Sequence, residues 1–116
     1  MKRAIVIDDD TDVREVLSMY LEMMGFSVDT LRGGRLGIEK IKECEYDYIF
    51  CDLKMPDMKG DEVLRELERV DKGLISRFIL VTGAMIDEKT EGFFHSKGVR
   101  ILKKPFTLND IESILH

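Results

Sequence analysis

The chain has 116 residues, 44% of them hydrophobic and 35% charged, which is enough for one domain with its own core and leaves no room for a second, so 1–116 is expected to be a single unit. Eighteen Lys and Arg against 23 Asp and Glu give a formal net charge of −5, and this argues against direct contact with nucleic acid, which shows as a basic face. No apolar run approaches the roughly 18 residues of a membrane span, and Lys2 and Arg3 lead into only a short apolar run before acids begin, so a soluble, cytoplasmic protein is expected.

Short aliphatic runs alternate with amphipathic segments along the chain. AIVI at 4–7 is the first expected strand, followed at once by Asp8, Asp9, Asp10 and Asp12. Val13, Val16, Leu17, Tyr20, Leu21 and Met24 then fall at i, i+3, i+4, i+7, i+8 and i+11, one stripe of a helix that ends before Gly25. FSVDTL at 26–31 is the second strand, and the helix after it spans about Leu36 to Cys44, its start crowded by Gly33, Gly34 and Gly37. YDYIFC at 46–51 is the third strand, followed by a helix from about Asp61 to Val70 with Val63, Leu64, Leu67 and Val70 inward. RFILVT at 77–82 is the fourth, with a helix over about Asp87–Lys97 that stops at Gly98. VRIL at 99–102 is the fifth, after which Thr107 caps a last helix that turns Leu108, Ile111, Ile114 and Leu115 to one side. Cys44 and Cys51 have no Cys/His cluster around them and read as reduced, packed thiols.

Five strands alternating with five helices imply right-handed crossovers and a parallel sheet covered on both faces, a doubly wound α/β fold. Sites in such sheets lie beyond the carboxyl ends of the strands. At those ends stand Asp8, Asp9 and Asp10 after the first strand, Asp52 after the third, Thr82 at the close of the fourth, and Lys103 and Lys104 after the fifth. Each has an ordinary structural explanation: Asp10 or Thr11 as an N-cap, Thr82 as a strand former, a lysine as a solvated surface group. Together they point elsewhere. Carboxylates within a few ångströms repel one another, and one would keep its proton unless a cation shared the site. Mg²⁺ suits such a set, since it takes oxygen ligands and binds through one or two carboxylates together with phosphate oxygens. One carboxylate is then free to attack phosphorus, while a lysine and a hydroxyl neutralise and donate to the phosphoryl oxygens.

On these residues the chain resembles the receiver domain of two-component response regulators over nearly its whole length. The acid pair is Asp8 and Asp9; DLKMPDMKG at 52–60 resembles the family's phosphoacceptor segment; VTGA at 81–84 supplies a hydroxyl residue followed by a small one; KPF at 104–106 supplies a lysine before proline. The resemblance implies a flavodoxin-like sheet of order 2-1-3-4-5. It also implies that Asp52 accepts a phosphoryl group from the phosphohistidine of a sensor histidine kinase or phosphotransfer protein. Asp9, Asp52 and the backbone carbonyl of Lys54 would bind Mg²⁺ directly and Asp8 through water, while Thr82 and Lys104 would grip the phosphoryl group. Strand alternation by itself favours Lys104 over Lys103 for the rim. A cis bond between Lys104 and Pro105 is implied as well.

The family usually carries an aromatic residue three before the KPF lysine, where this chain has Ile101, stiff at χ1 and with no ring to swing. Output is therefore expected through the loop from Gly83 to Asp87 and the face of the fourth helix, whose Phe93 and Phe94 read as packing more than docking. Lys54 and Ala84 occupy the positions that in the family influence hydrolysis of the acyl phosphate, and His95 and His116 read as surface histidines. Such a domain is a phosphoprotein switch of a phosphorelay more than a catalyst: it assists its own phosphorylation and dephosphorylation. Its output partner is a downstream protein or a fused domain, and self-association as a homodimer stays open. Two other readings compete. A haloacid-dehalogenase-like phosphatase would use Asp8 as the nucleophile, but Asp12 stands where that motif has Thr or Val. A binding module of receiver fold without phosphorylation would not need the acids, Thr82 and Lys104 that are all present.

Overall fold

In the computed structural model, which describes residues 1–83 and 85–115, five parallel strands stand in the order β2-β1-β3-β4-β5. They are β1 (Arg3–Ile7), β2 (Ser27–Leu31), β3 (Tyr48–Asp52), β4 (Phe78–Thr82) and β5 (Arg100–Lys103). Between and after them lie α1 (Thr11–Met23), α2 (Gly34–Glu43), α3 (Gly60–Val70), α4 (Glu88–Ser96) and α5 (Leu108–Ile114). The doubly wound arrangement and its strand order are as expected. No helix is long and apolar enough to cross a membrane among the described residues. Ala84 and His116 lie outside the described residues, and with them the readings made of those two positions.

Strand side chains alternate between the faces, so each strand feeds two cores. Ile5 and Ile7 of β1 join Ile49, Cys51 and Leu80 under α2, α3 and α4, which contribute Ile41, Leu67 and Phe94. Ala4 and Val6 join Phe50, Ile79 and Val81 under α1 and α5, which contribute Leu17, Leu21 and Ile111. β4 is buried at all five positions, as befits a strand covered on both sides.

The helix boundaries follow their caps. Asp10 and not Thr11 caps α1, accepting the Asp12 and Val13 amides at 2.9 and 3.4 Å. Gly25 and Gly98 take φ of 93° and 71° just after α1 and α4, the left-handed region that lets the chain leave a helix sharply. Thr107 and Asp110 form a reciprocal capping box at the start of α5.

Three expectations need correction. Val16 is exposed, so the core-facing stripe of α1 narrows to Leu17 and Leu21 with half-buried flanks; a helix lying on a sheet buries only the residues directly beneath it. Val70 is also exposed, because α3 ends there and the chain turns at Asp71 into a 3-10 turn, Lys72–Arg77, which periodicity does not anticipate. α2 starts at Gly34, two residues before the expected start. Its glycines are a packing requirement more than a weakness: a Cβ on Gly37 would lie 2.4 Å from Ile7 Cδ1, so the missing side chain lets α2 approach β1.

Phe94 is fully buried, and Phe93 packs edge-on against it at 5.2 Å between centroids. The Arg65 guanidinium of α3 sits 4.3 Å over the Phe93 ring, and Lys97 pairs with Glu68 at 3.0 Å, so α3 and α4 are joined across this ring. Both phenylalanines thus make packing contacts. Cys44 is half-buried and Cys51 buried, neither in a disulfide, and His95 is at the surface.

Candidate functional site

Parallel strands of similar register end together, and this brings residues far apart in sequence to one rim. Asp52 ends β3 opposite Val81, Thr82 ends β4 opposite Lys103, and Asp8 and Lys104 follow β1 and β5. Among the described residues the buried polar or charged side chains are Asp8, Asp52 and Thr82, at 1, 7 and 3% exposure, and all three are here. A fold does not collect its buried polar groups in one place for packing's sake.

The Lys104 ammonium lies 3.0 Å from Asp8 Oδ2 and 3.3 Å from Asp52 Oδ1. Lys103 points to solvent, as strand alternation requires. The Lys104 amide donates to the Thr82 carbonyl at 2.9 Å, which continues the β4–β5 ladder into the site, and the Lys104–Pro105 bond is cis. The Leu53 amide donates to Asp52 Oδ1 at 2.9 Å. Burial, and then the charge of Asp8, push the Asp52 carboxyl up to about 6, against the opposing pull of Lys104 and the Leu53 amide. For Lys104 burial works against the charge, but the pairing with Asp8 and Asp52 outweighs it and holds the ammonium above its ordinary value.

One carboxylate oxygen each from Asp8, Asp9 and Asp52 lies within 4.8 Å of the others. Asp8 Oδ1 accepts the Asp10 amide at 2.9 Å, but its buried Oδ2 accepts no hydrogen bond and faces only the lysine. Three clustered carboxylates, one with an unsatisfied buried oxygen, exceed what a single ammonium neutralises. The donor set is all oxygen, and it fits a hard divalent cation.

Sequence reasoning missed two supports. The Arg14 guanidinium donates to the Asp8 carbonyl at 2.6 Å and to Thr11 Oγ1 at 3.2 Å, tying α1 to the loop that carries the acids. Asp57 accepts the Gly34 and Arg35 amides at 3.2 and 3.1 Å. Burial opposes its ionisation, but the backbone donors together, Arg35 and Gly34 first among them, outweigh it and hold the carboxyl below the usual carboxylate range. An arginine one turn into a helix and an aspartate inside a loop carry no sequence signal of such contacts. Gly60, in contrast, belongs to the motif already noted: a Cβ there would lie 2.6 Å from the Asp52 carbonyl oxygen. Lys54 has an exposed side chain, and Ile101 is half-buried, lining a hollow with Thr82, Gly83, Ile86 and Lys104.

The model of the response regulator receiver domain family matches residues 4–116. The chain belongs to this family. The receiver is 29% identical over 111 residues to the response regulator receiver protein CpdR of Brucella abortus, covering 96% of this chain and 91% of that one. It is 33% identical over 114 residues to the cell cycle transcriptional regulator CtrA of Caulobacter vibrioides, covering 98% of this chain but 48% of the relative, so it spans about half of that protein's length. Among solved structures it shares its fold, at a TM-score of 0.85 and 22% identity over 98% of this chain and 93% of the other, with the receiver domain of sensor histidine kinase PA1611 from Pseudomonas aeruginosa, which is described with a magnesium ion coordinated in its active site cleft. Receiver domains are phosphorylation-activated switches of two-component signalling, and this receiver is such a switch. The phosphatase reading gains no support from a match that runs across the whole sheet.

Proposed function

We propose that Asp52 is the phosphoacceptor of this receiver, that Thr82 and Lys104 hold the incoming phosphoryl group, and that Asp8, Asp9, Asp52 and the Lys54 carbonyl form a Mg²⁺ site. The observation that carries this reading is the buried trio Asp8, Asp52 and Thr82 closed by the Lys104 ammonium, with Asp9 alongside. The magnesium described for the PA1611 receiver supports the choice of ion. When bound, Mg²⁺ would supply neutralisation of phosphoryl oxygens and favour the ionised carboxylates.

The protein's own residues do the rest. With its carboxyl titrating at about 6, Asp52 is largely ionised at neutral pH, so one of its oxygens can attack phosphorus. The phosphorus–nitrogen bond of the donor phosphohistidine breaks, its electron pair returns to the imidazole, and an acyl phosphate remains on Asp52. Lys104 offsets charge on one phosphoryl oxygen and the Thr82 hydroxyl donates to another. Water later attacks phosphorus, the bond from phosphorus to the Asp52 oxygen breaks, and the carboxylate is regenerated as inorganic phosphate leaves. The domain thus assists its own phosphorylation and dephosphorylation, and turns over no external metabolite.

The donor is a sensor histidine kinase or phosphotransfer protein in the cytoplasm. The recipient of the signal is a downstream protein or, as the length of CtrA allows, a fused output domain. Movement of Thr82 toward the phosphoryl group would be transmitted to the loop 83–87, α4 and β5, beside the hollow where Ile101 replaces the family's aromatic. Labelling with acetyl phosphate and Mg²⁺, and then from a phosphohistidine donor, tests the assignment. Wild type should take up label and Asp52→Asn should not. Equal labelling of the variant sinks the assignment, and an unlabelled, folded wild type restores the reading of a binding module without phosphorylation. Fluoroberyllate should mark Asp52 and leave Asp8 unmodified.

A further inference from the structure

The two glycines before and at the start of α2 are unexplained by phosphoryl chemistry, yet both face the segment just past the phosphoacceptor. The first turn of a helix has amides with no partner inside the helix. Gly33, at the N-cap of α2, has no side chain to supply one. The missing cap comes from Asp57, more than twenty residues further along, whose carboxylate takes the Gly34 and Arg35 amides. The approach is so close that a Cβ on Gly33 would lie 2.9 Å from Asp57 Oδ2, and one on Gly34 would lie 2.8 Å from Val63 Cγ2 and 3.0 Å from Met58 Cβ. A side chain at Gly33 would meet the Asp57 carboxylate, and one at Gly34 would meet α3 and Met58.

The same segment is anchored at its base. The Leu53 amide binds Asp52 Oδ1, and the Gly60 amide donates to the Leu53 carbonyl at 2.8 Å. Lys54 lies in sequence between the base anchor and the Asp57 anchor.

We propose that Asp57 is a positioning residue for the metal site: by capping α2 it pins the segment 53–59 and thereby holds the Lys54 carbonyl in place. The proposal rests on the reading of Lys54 as a metal ligand. It differs from simple helix capping in that α2 could be capped from within, by a serine at position 33, without holding the loop at all.

That difference supplies the test. Mg²⁺ affinity is measured by calorimetry, and amide exchange by NMR in the metal-free protein, for wild type, Asp57→Ala, and Asp57→Ala with Gly33→Ser. Asp57→Ala should bind Mg²⁺ about tenfold more weakly, with faster exchange at Gly34, Arg35 and Gly60, the amides bonded to Asp57 and across the base of the segment. The added serine should restore protection at Gly34 and Arg35 and the thermal midpoint, but neither the Mg²⁺ affinity nor the protection of Gly60. Recovery of wild-type affinity by the double variant overturns the proposal, as does wild-type affinity in Asp57→Ala. Asp57→Asn, which keeps one acceptor oxygen, carries the same comparison if the alanine variant does not fold. If wild type binds no Mg²⁺, or Asp52→Asn binds it equally well, the metal reading itself fails. Exchange at Gly60 in the metal-free variants still decides whether Asp57 holds the loop.

Discussion

At the residue scale, Asp52 carries a cost that its proposed phosphoacceptor role would explain. Its carboxyl titrates at about 6 in the fold against 3.8 unperturbed, because burial and Asp8 disfavour its charge. The folded state therefore binds the proton more tightly than the unfolded chain. Below the unperturbed value both states are protonated and there is no penalty; between the two values stability falls as pH rises; above about 6 the penalty is complete. Asp52→Asn, whose amide oxygen can still accept from Leu53, should thus be more stable than wild type by about 2 kcal/mol in chelator at about pH 7.5, with the gap closing toward about pH 4. Urea titrations across that range check this, and a pH-independent gap argues against it. Lys104 has the opposite sign. Lys104→Met leaves Asp8 and Asp52 buried without their cation, and should cost about 3 kcal/mol at neutral pH. It should also move the Asp52 midpoint above about 6, as read from its carboxyl carbon by NMR; an unchanged midpoint would mean the ammonium does little there.

At the scale of elements, close approach decides more than propensity. Alanine is the better helix former by about 1 kcal/mol, yet Gly37→Ala should lower stability by about 1 kcal/mol or more, because its methyl meets Ile7 Cδ1 and overpacking outweighs the propensity gain. Adding Ile7→Val, which removes that carbon, should recover part of the loss in thermal melts; no recovery would show that the clash lies elsewhere. Gly60→Ala has no such relief, since its neighbour is the Asp52 backbone oxygen. Between α3 and α4 the Arg65–Phe93 stack and the Lys97–Glu68 pair make a seam at the helix proposed to carry output. Any movement of α4 on phosphorylation has to break or shift this seam.

At the scale of the whole molecule, a cation bound only by the fold shifts the unfolding equilibrium. Mg²⁺ at ten times its dissociation constant should add about 1.4 kcal/mol, seen as a rise of about 5 °C in the thermal midpoint for a domain of this size. Chelator should reverse the rise, and Asp9→Asn should abolish it. A variant with an undiminished rise would place the ion away from the acid cluster.

The strand–helix alternation, a sheet covered on both faces and the rim positions of Asp8, Asp9, Asp52, Thr82 and Lys104 were determined by the sequence alone. Periodicity is a local property, and parallel strands of similar length must end on one side. The identity of the α1 cap, Asp10 over Thr11, needed the structure to choose between neighbours with the same chemistry. Val16 and Val70 matched the apolar period but are only partly covered, 38 and 48% exposed, because coverage depends on where another element ends. The grip of Asp57 on Gly34 and Arg35 spans 23 and 22 residues, and that of Arg14 reaches a backbone carbonyl. Contacts of this kind are set by how α2 and α1 lie against the sheet, and no local pattern encodes that distance. Only the tertiary structure decided how firmly the site is held.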